Sequence, residues 1–502
     1  MCIDAVTREV RLFSKFDEET RRIASAFYKL GLRKGDMVIF MPTEVIKLHI
    51  FLAGVWRANG VCRASYPEDD AATLRQRLVE GECKFILCDH NGIATCREAV
   101  IGIAWSVEII VMEKHNELKS LQQFLEEDDG EACPAIDVGK EDPALILCTS
   151  GTTGPSKGAL HTHKGLMQQM YLLSLFPFME SKPNLIFSKG THISGSTFPF
   201  SLLVSGKTAI ITGKITNEIT LKTVHELKPG FAFAFPTFLL VLVSPEAQNY
   251  DTTSLKILWS GGTTITPATI DALFQLSNVK DFINAYGLTE NMTTTTSAIL
   301  SSASESERSS DPKSIRDLPA FATGTTYPDT RIQVRDIDTM EVLGPHKKGE
   351  ICVKGPAVFK EYYKNPEATK AAFIDGFFRT GDIGYYDEHG YIYISDRLKE
   401  VFKYFNNHIS PSELEGVIGR HPNVSEVCVV GIPDPNGGGD IPRAFVTVNG
   451  NPSPELAEEI KKLANDSLPN YKHLRGGVYI IPEMPQGKTG KVTRRLVAEL
   501  KP

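Results

Sequence analysis

The chain has 502 residues, more than one hydrophobic core supports, so two or more domains are expected. Its 42% hydrophobic and 23% charged content is that of an ordinary globular protein, and a formal net charge of -7 argues against a general nucleic-acid binder, which presents a basic field. Nine cysteines occur without a C-x-x-C pair, which fits reduced thiols rather than a disulfide framework or a zinc site. From the N-terminus, apolar runs of strand length alternate with helical patterns. Asp17–Leu30 places Ile23, Ala26, Phe27 and Leu30 on one helical face, and Gly31 closes that helix in the left-handed region. Met37–Phe40 reads as a strand, Val45–Ala58 as a helix and Phe85–Cys88 as a strand. The alternation recurs at Leu185–Phe187, Thr208–Ile211, Phe231–Phe235, Ile257–Trp259 and Phe282–Ala285. Such alternation predicts mostly parallel α/β sheets with both faces covered, and ligands on such sheets collect at the carboxyl ends of strands.

Beyond a polar, low-complexity stretch at Ser301–Ser310, expected to be a mobile surface loop, the pattern turns to strands and turns: Arg331–Asp336, Glu350–Val353 and Tyr391–Ser395. The remainder reads as a small α+β unit. Its helices are announced by Ser410-Pro411-Ser412-Glu413 and by Ser453-Pro454, with strands at Val427–Val430, Ala444–Val448 and Val478–Ile480. The first residues are too charged for a secretory signal. The apolar run Phe231–Val243 carries Pro236 and is too short to cross a bilayer, and the last residues, Glu-Leu-Lys-Pro, are not the peroxisomal tripeptide. A cytoplasmic location without an integral membrane segment is the expectation.

The most chemically loaded stretch is Thr149–Gly158, TSGTTGPSKG, directly after the apolar run Ala144–Cys148. Its glycines let backbone N–H groups approach a phosphate, its hydroxyls add donors and Lys157 adds a point charge. The same composition occurs in flexible linkers. It is not a Walker loop, since Ser156 precedes and Gly158 follows Lys157. Thr149 and Tyr286 both follow predicted strands directly, so two loops are expected to face one crevice.

TSGTTGPSKG, then Tyr286-Gly287-Leu288-Thr289-Glu290, Tyr363–Phe373 (YKNPEATKAAF), Thr380-Gly381-Asp382, Asp396-Arg397-Leu398-Lys399 and Gly490-Lys491 arrive in an order that resembles the adenylate-forming superfamily, which includes acyl-CoA synthetases, 4-coumarate–CoA ligases, beetle luciferases and peptide-synthetase adenylation domains. The resemblance covers nearly the whole chain. It implies a large AMP-binding lobe over residues 1–396 with a β-rich subdomain from about 320, a hinge at 397–399 and a small mobile lobe over 400–502. It further implies an enzyme that uses ATP and Mg²⁺ to turn a small-molecule carboxylic acid into an acyl-adenylate and then a CoA thioester. Catalysis of this kind is mostly charge neutralisation and alignment.

Carried over residue by residue, the resemblance gives Thr149, Ser150, Gly151, Thr152, Thr153, Gly154 and Lys157 to the phosphates. Asp382 and Arg397 go to the ribose, Gly261, Gly262, Tyr286 and Gly287 to the base or acyl group, Thr289 to the α-phosphate and Glu290 to Mg²⁺. His192, in THISG, matches the mouth of the acyl pocket, which Phe198, Phe200, Phe235 and Phe238 are candidates to line; a structural histidine and plain aromatic packing are the rival readings. Lys491 matches the catalytic lysine that bridges substrate carboxylate and α-phosphate; by spacing alone it is one cation of a basic tail with Lys488, Arg494 and Arg495. Lys399 matches the hinge. Rival readings stand beside these: an Asx-turn aspartate at Asp382, a helix N-cap at Thr289, a tight turn at Gly261-Gly262, a core aromatic at Tyr286, and solvated surface charges at Glu290, Arg397 and Lys399. The sequence departs from the family pattern on the CoA side, where Lys403-Tyr404-Phe405-Asn406 has asparagine in place of glycine; asparagine tolerates positive φ better than most residues. The alternatives to the ligase are luciferase-like adenylation followed by oxidation, and a catalytically silent nucleotide- or acyl-binding protein.

Overall fold

The computed structural model describes residues 1–149, 156–174, 182–262, 267–292, 296–301, 323–405, 407–486 and 492–500. Two large sheets carry the first half. One has seven strands, in the order Glu361–Tyr362, Gly158–Thr162, Pro143–Cys148, Val61–Ala64, Met37–Phe40, Phe85–Cys88 and Glu108–Val111, and is parallel from Pro143–Cys148 outward. The other has nine strands and a parallel interior running Asp281–Tyr286, Ile257–Gly261, Phe231–Phe233, Asn184–Phe187, Ala209–Thr212 and Cys2–Asp4.

The main core lies between these sheets. Leu145 and Leu147 of one meet Phe233 and Trp259 of the other through Phe51, Leu166 and Phe198 on intervening helices. The helix Leu48–Arg57 (LHIFLAGVWR) shows why: it is apolar almost all round, and such a helix has nowhere to go but between two covered faces. Gly54 lets it close on the neighbouring helix Phe16–Lys29, since a Cβ there would lie 2.5 Å from Ile23 Cγ2. This helix starts at Leu48 rather than the expected Val45. The Glu44 carboxylate takes the N–H groups of Ile46 (2.8 Å) and Lys47 (3.3 Å) and bends the chain into a turn first. Separate apolar layers cover the outer faces of the two sheets.

A five-stranded antiparallel sheet follows, built from Arg331–Arg335, Gly349–Lys354, Phe373–Ile374, Phe377–Tyr386 and Ile392–Arg397. The C-terminal unit pairs Val424–Pro433 antiparallel with Asp440–Val448, which pairs parallel with Val478–Ile480. Helices Pro411–Ile418 and Pro454–Ser467 cover one face and Arg494–Ala498 the other. Ser410 and Ser453 cap the first two helices, as the sequence predicts, by accepting from Glu413 N–H (3.3 Å) and Leu456 N–H (3.2 Å). The stretch expected to be a surface loop begins at the end of a strand, Thr296–Ser301; its remaining residues lie outside those described.

Candidate active site

The segment after Pro143–Cys148 does not run into a helix. It returns antiparallel as Gly158–Thr162, with Cys148 opposite Gly158. Three bonds clamp the neck of this connection: Thr149 N–H to Lys157 C=O (2.9 Å), Lys157 N–H to Thr149 Oγ1 (3.3 Å) and Ser156 O–H to Thr149 C=O (2.7 Å). Ser150, Gly151, Thr152, Thr153 and Gly154 lie outside the described residues. The two-residue strand Glu361–Tyr362 extends the hairpin, with Lys360 N–H on Leu160 C=O and Tyr363 N–H on Gly158 C=O, both 2.8 Å. It places the Tyr362 ring under Lys157, whose Nζ lies 4.7 Å from the ring centroid.

The strand Asp281–Tyr286 ends in a single tight turn, Thr289–Asn291. Leu288 rather than Thr289 is its capping residue, and Asn291 Oδ1 accepts the Leu288 N–H at 2.7 Å. Glu290 follows. Its carbonyl accepts Phe359 N–H (2.6 Å), and its Oε1 accepts the Tyr362 hydroxyl (2.8 Å). Burial pushes the Glu290 carboxyl above the usual carboxylate range, and the Tyr362 hydrogen bond works against that shift. The solvated-surface reading of Glu290 therefore fails. A single half-buried carboxylate of this kind fits a divalent ion held mainly by phosphates and water.

Asp382 and Arg397 are register partners on the strands Phe377–Tyr386 and Ile392–Arg397. Asp382 is buried; its Oδ1 lies 3.1 Å from Arg397 Nε and its Oδ2 accepts the Tyr286 hydroxyl at 2.7 Å. The Asp382 charge holds Arg397 protonated, and burial pushes the Tyr286 phenol well up. The Tyr286 ring itself packs with Val334, Ile351, Val353 and Ile392, so its apolar part is core, as the rival reading had it, and its hydroxyl orients Asp382. Glu350, which the sequence did not single out, supports the Thr380-Gly381-Asp382 turn from below. It accepts Gly381 N–H (3.1 Å) and both Arg379 Nε (2.9 Å) and Nη2 (2.7 Å). Gly381 adopts φ +71° at this turn.

His192 caps the helix Ile193–Val204. Its Nδ1 lies 2.8 Å from Ser194 Oγ, and its ring meets Phe235 edge-on at 5.2 Å. Gly195 in the same motif has a packing role, since a Cβ there would lie 2.0 Å from Lys189 O. The four phenylalanines named as candidates for the acyl pocket divide between packing and the histidine. Phe198 packs on Phe233 and Trp259, Phe200 on Trp56 and His49, and Phe238 on Phe187 across the other face of the sheet; only Phe235 of the four meets His192. Gly261 ends a strand where a Cβ would lie 2.1 Å from Ala285 O of the neighbouring strand, and Gly262 has φ +91°, so close strand approach accounts for the first glycine and a turn for the second. Gly287 lies between Tyr286 and the Thr289–Asn291 turn.

Lys399 lies in the turn that leaves the large lobe, where Leu398 N–H bonds Gly381 C=O (2.7 Å) and Glu400 N–H bonds Arg397 C=O (2.9 Å). Just before it, Asp396 accepts from Ser410 Oγ and Ser412 Oγ (3.0 Å) of the C-terminal unit, and burial pushes its carboxyl up to about 6. Just after it, Glu400 pairs with Arg494 (2.9 Å), which also holds Glu415 and Val429 C=O. Lys403 sits on Phe402–Tyr404, paired with Asn407–Ile409. Phe405, the residue before Asn406, takes φ +49°. Asn406 and Lys491 lie outside the described residues; the latter's segment is bounded by a bridge between Gln486 and Val492. Among the described residues no helix is long and apolar enough to cross a membrane.

Tyr362 and Glu350 escaped the sequence reading because neither carries a local signature. Tyr362 adjoins the Tyr363–Phe373 motif, which was the only hint available.

Comparison with known proteins accords with this arrangement. A luciferin 4-monooxygenase of Luciola mingrelica is 32% identical over 516 residues, covering 97% of this chain and 89% of the relative. A probable 4-coumarate–CoA ligase 2 of Dictyostelium discoideum is 29% identical over 509 residues, covering 96% and 88%. The crystal structure of ATP-bound MatB from Rhodopseudomonas palustris superposes with a TM-score of 0.86 at 25% identity, covering 99% of this chain and 95% of that one. The family described as AMP-binding enzyme matches residues 6–363 and its C-terminal domain matches 413–491, and the chain belongs to this adenylate-forming family.

Proposed function

We propose that the protein joins a carboxylic acid to AMP at the expense of ATP and then passes the acyl group to the thiol of CoA. In the first step a substrate carboxylate oxygen bonds to the α-phosphorus, the bond from that phosphorus to the bridging oxygen breaks, and pyrophosphate leaves. In the second the thiol sulfur bonds to the acyl carbon, AMP leaves with the bonding pair, and the thiol proton goes to solvent. The observation that carries the reading is the contact of three groups of the right chemistry with two tyrosines. Tyr286 reaches Asp382, while Tyr362 reaches Glu290 and lies under Lys157.

In this reading the clamped loop and Lys157 take the phosphates. Asp382 takes the ribose, whose two hydroxyls suit a carboxylate acceptor. Glu290 holds Mg²⁺, whose charge would offset that of the phosphates when bound. Thr289 stands at the α-phosphate, His192 and Phe235 at the mouth of an acyl pocket for a medium-sized hydrophobic or aromatic acid, and Lys491 bridges carboxylate and α-phosphate. Residues 1–396 form the large lobe, 397–399 the hinge and 400–502 the lobe that swings, with Lys403 and Asn406 on the CoA side.

The test is acid-dependent exchange of labelled pyrophosphate into ATP across a panel of carboxylic acids, followed by CoA. Exchange with thioester formation is expected. Exchange without thioester keeps adenylation and removes the ligase step. The likeness to a luciferin 4-monooxygenase gives that outcome a specific successor, oxygen consumption with light emission. No exchange with any acid defeats the reading and leaves a silent nucleotide-binding homologue.

A further inference from the structure

The Tyr363–Phe373 motif is matched to the family by its residues alone and has no task in the mechanism above; the residue immediately before it does. Tyr362 is buried, packed on Phe359 with ring centroids 4.7 Å apart. Its position is fixed by main chain on both sides, through Lys360 N–H on Leu160 C=O and Tyr363 N–H on Gly158 C=O. One face of its ring seats the Lys157 ammonium and its hydroxyl ends on the Glu290 carboxylate. Among the described residues Lys157 and Glu290 form no ion pair with each other; each meets Tyr362 instead. A lysine and a half-buried glutamate brought to one site would ordinarily neutralise each other, since an opposite charge at contact distance is the cheapest partner available to both. Here one tyrosine takes both, the cation on its ring face and the anion at its hydroxyl. It holds the cation by its quadrupole, which leaves the charge intact, and it holds the anion by one hydroxyl on one oxygen, which leaves the other oxygen unclaimed by that bond.

We infer that Tyr362 is a positioning residue, an insulating spacer that keeps Lys157 and Glu290 from pairing with each other so that the cation faces the phosphates and the anion faces the divalent ion. The inference rests on the nucleotide and metal roles proposed above and adds to them the group that makes both available at once. Two parts of the side chain do separable jobs. The hydroxyl fixes which Glu290 oxygen is free; the ring keeps Lys157 away from it.

The experiment uses the full chain with Mn²⁺ as the metal probe, reading metal by its electron spin resonance signal and ATP by equilibrium titration in EDTA, neither of which requires turnover. Tyr362→Phe keeps the ring and loses the hydroxyl. It is expected to weaken Mn²⁺ binding to the ATP complex about tenfold while leaving metal-free ATP affinity within about twofold. Tyr362→Leu loses both, and is expected to weaken ATP in EDTA by about tenfold as well. In the Tyr362→Leu background, Glu290→Gln should restore metal-free ATP affinity by freeing Lys157, a rescue that a merely structural tyrosine would not give. Thermal unfolding of each variant identifies a folding failure; the Phe variant, which keeps the packed ring, then decides alone. Wild-type Mn²⁺ affinity in Tyr362→Phe overturns the inference, as does a wild-type protein that binds Mn²⁺ no better with ATP than ATP alone does. If metal and nucleotide bind as expected but no acid supports exchange, the spacer stands and the proposed reaction falls.

Discussion

The large lobe and the joint to the C-terminal unit treat their charges in opposite ways. Around the candidate site, Asp382 and Glu290 each end on a tyrosine hydroxyl delivered from a distant strand. At the joint, Asp396 ends on two serine hydroxyls of the capped helix, and Glu400 on an arginine that also serves Glu415. The first pattern relies on phenol hydroxyls from strands distant in sequence; the second relies on serine hydroxyls and an arginine of the C-terminal unit, with Asp396 buried as Asp382 is. In the proposed two-step reaction the half held by tyrosine hydroxyls would keep its shape while the lobes rearrange about the joint.

The contrast predicts a gradient of effects. Lys491→Ala should cut forward adenylation by about 10²–10³, roughly 3–4 kcal/mol, with ATP affinity nearly unchanged, as measured by pyrophosphate exchange and nucleotide titration. Equal activity in mutant and wild type would remove the small lobe from the chemistry. Within the rigid half, Glu350→Ala should cost about 3 kcal/mol in denaturant unfolding, because it strands Arg379 and the Gly381 N–H. Tyr286→Phe should weaken ATP by about tenfold with stability little changed, since only the hydroxyl on Asp382 is lost; an unchanged ATP affinity would separate Asp382 from the ribose.

At the joint the expected effect is smaller and depends on pH. The folded-state carboxyl of Asp396 is raised to about 6, so its neutral form is favoured in the fold, and its contribution is fullest below pH 4 and is lost as pH rises through about 6. Asp396→Asn should therefore gain on wild type by on the order of 1–2 kcal/mol between pH 4 and 7 in thermal unfolding. A constant difference across that range would mean that the carboxyl titrates normally and the joint is not buried.

Much of the fold was legible because buried parallel strands are short and apolar throughout. Met37–Phe40, Phe85–Cys88 and Val478–Ile480 end where the sequence puts them. The hairpin that clamps the phosphate loop was not legible: Gly158–Thr162 follows a long connection with no short-turn signature, and its pairing partner Glu361–Tyr362 is two residues long. The site was readable as an ordered set of motifs, and unreadable as contacts. Tyr286 and Asp382 are 96 residues apart, Glu290 and Tyr362 are 72 apart, and the register that joins them belongs to the sheets rather than to either segment. The phenylalanines of the helix after His192 left two readings open for the complementary reason, since a helix lodged between two sheets buries aromatics on every side and its composition does not say which side is hollow.

Tyr286 and Glu290 hang four residues apart from one strand end. The anchors proposed for the sugar and for the metal thus share a single gauge block, and a shift of that strand misplaces both by the same amount. Compensation at one anchor cannot repair the other, so substitutions beneath this strand should degrade recognition of nucleoside and of metal in proportion, whatever acid the enzyme accepts.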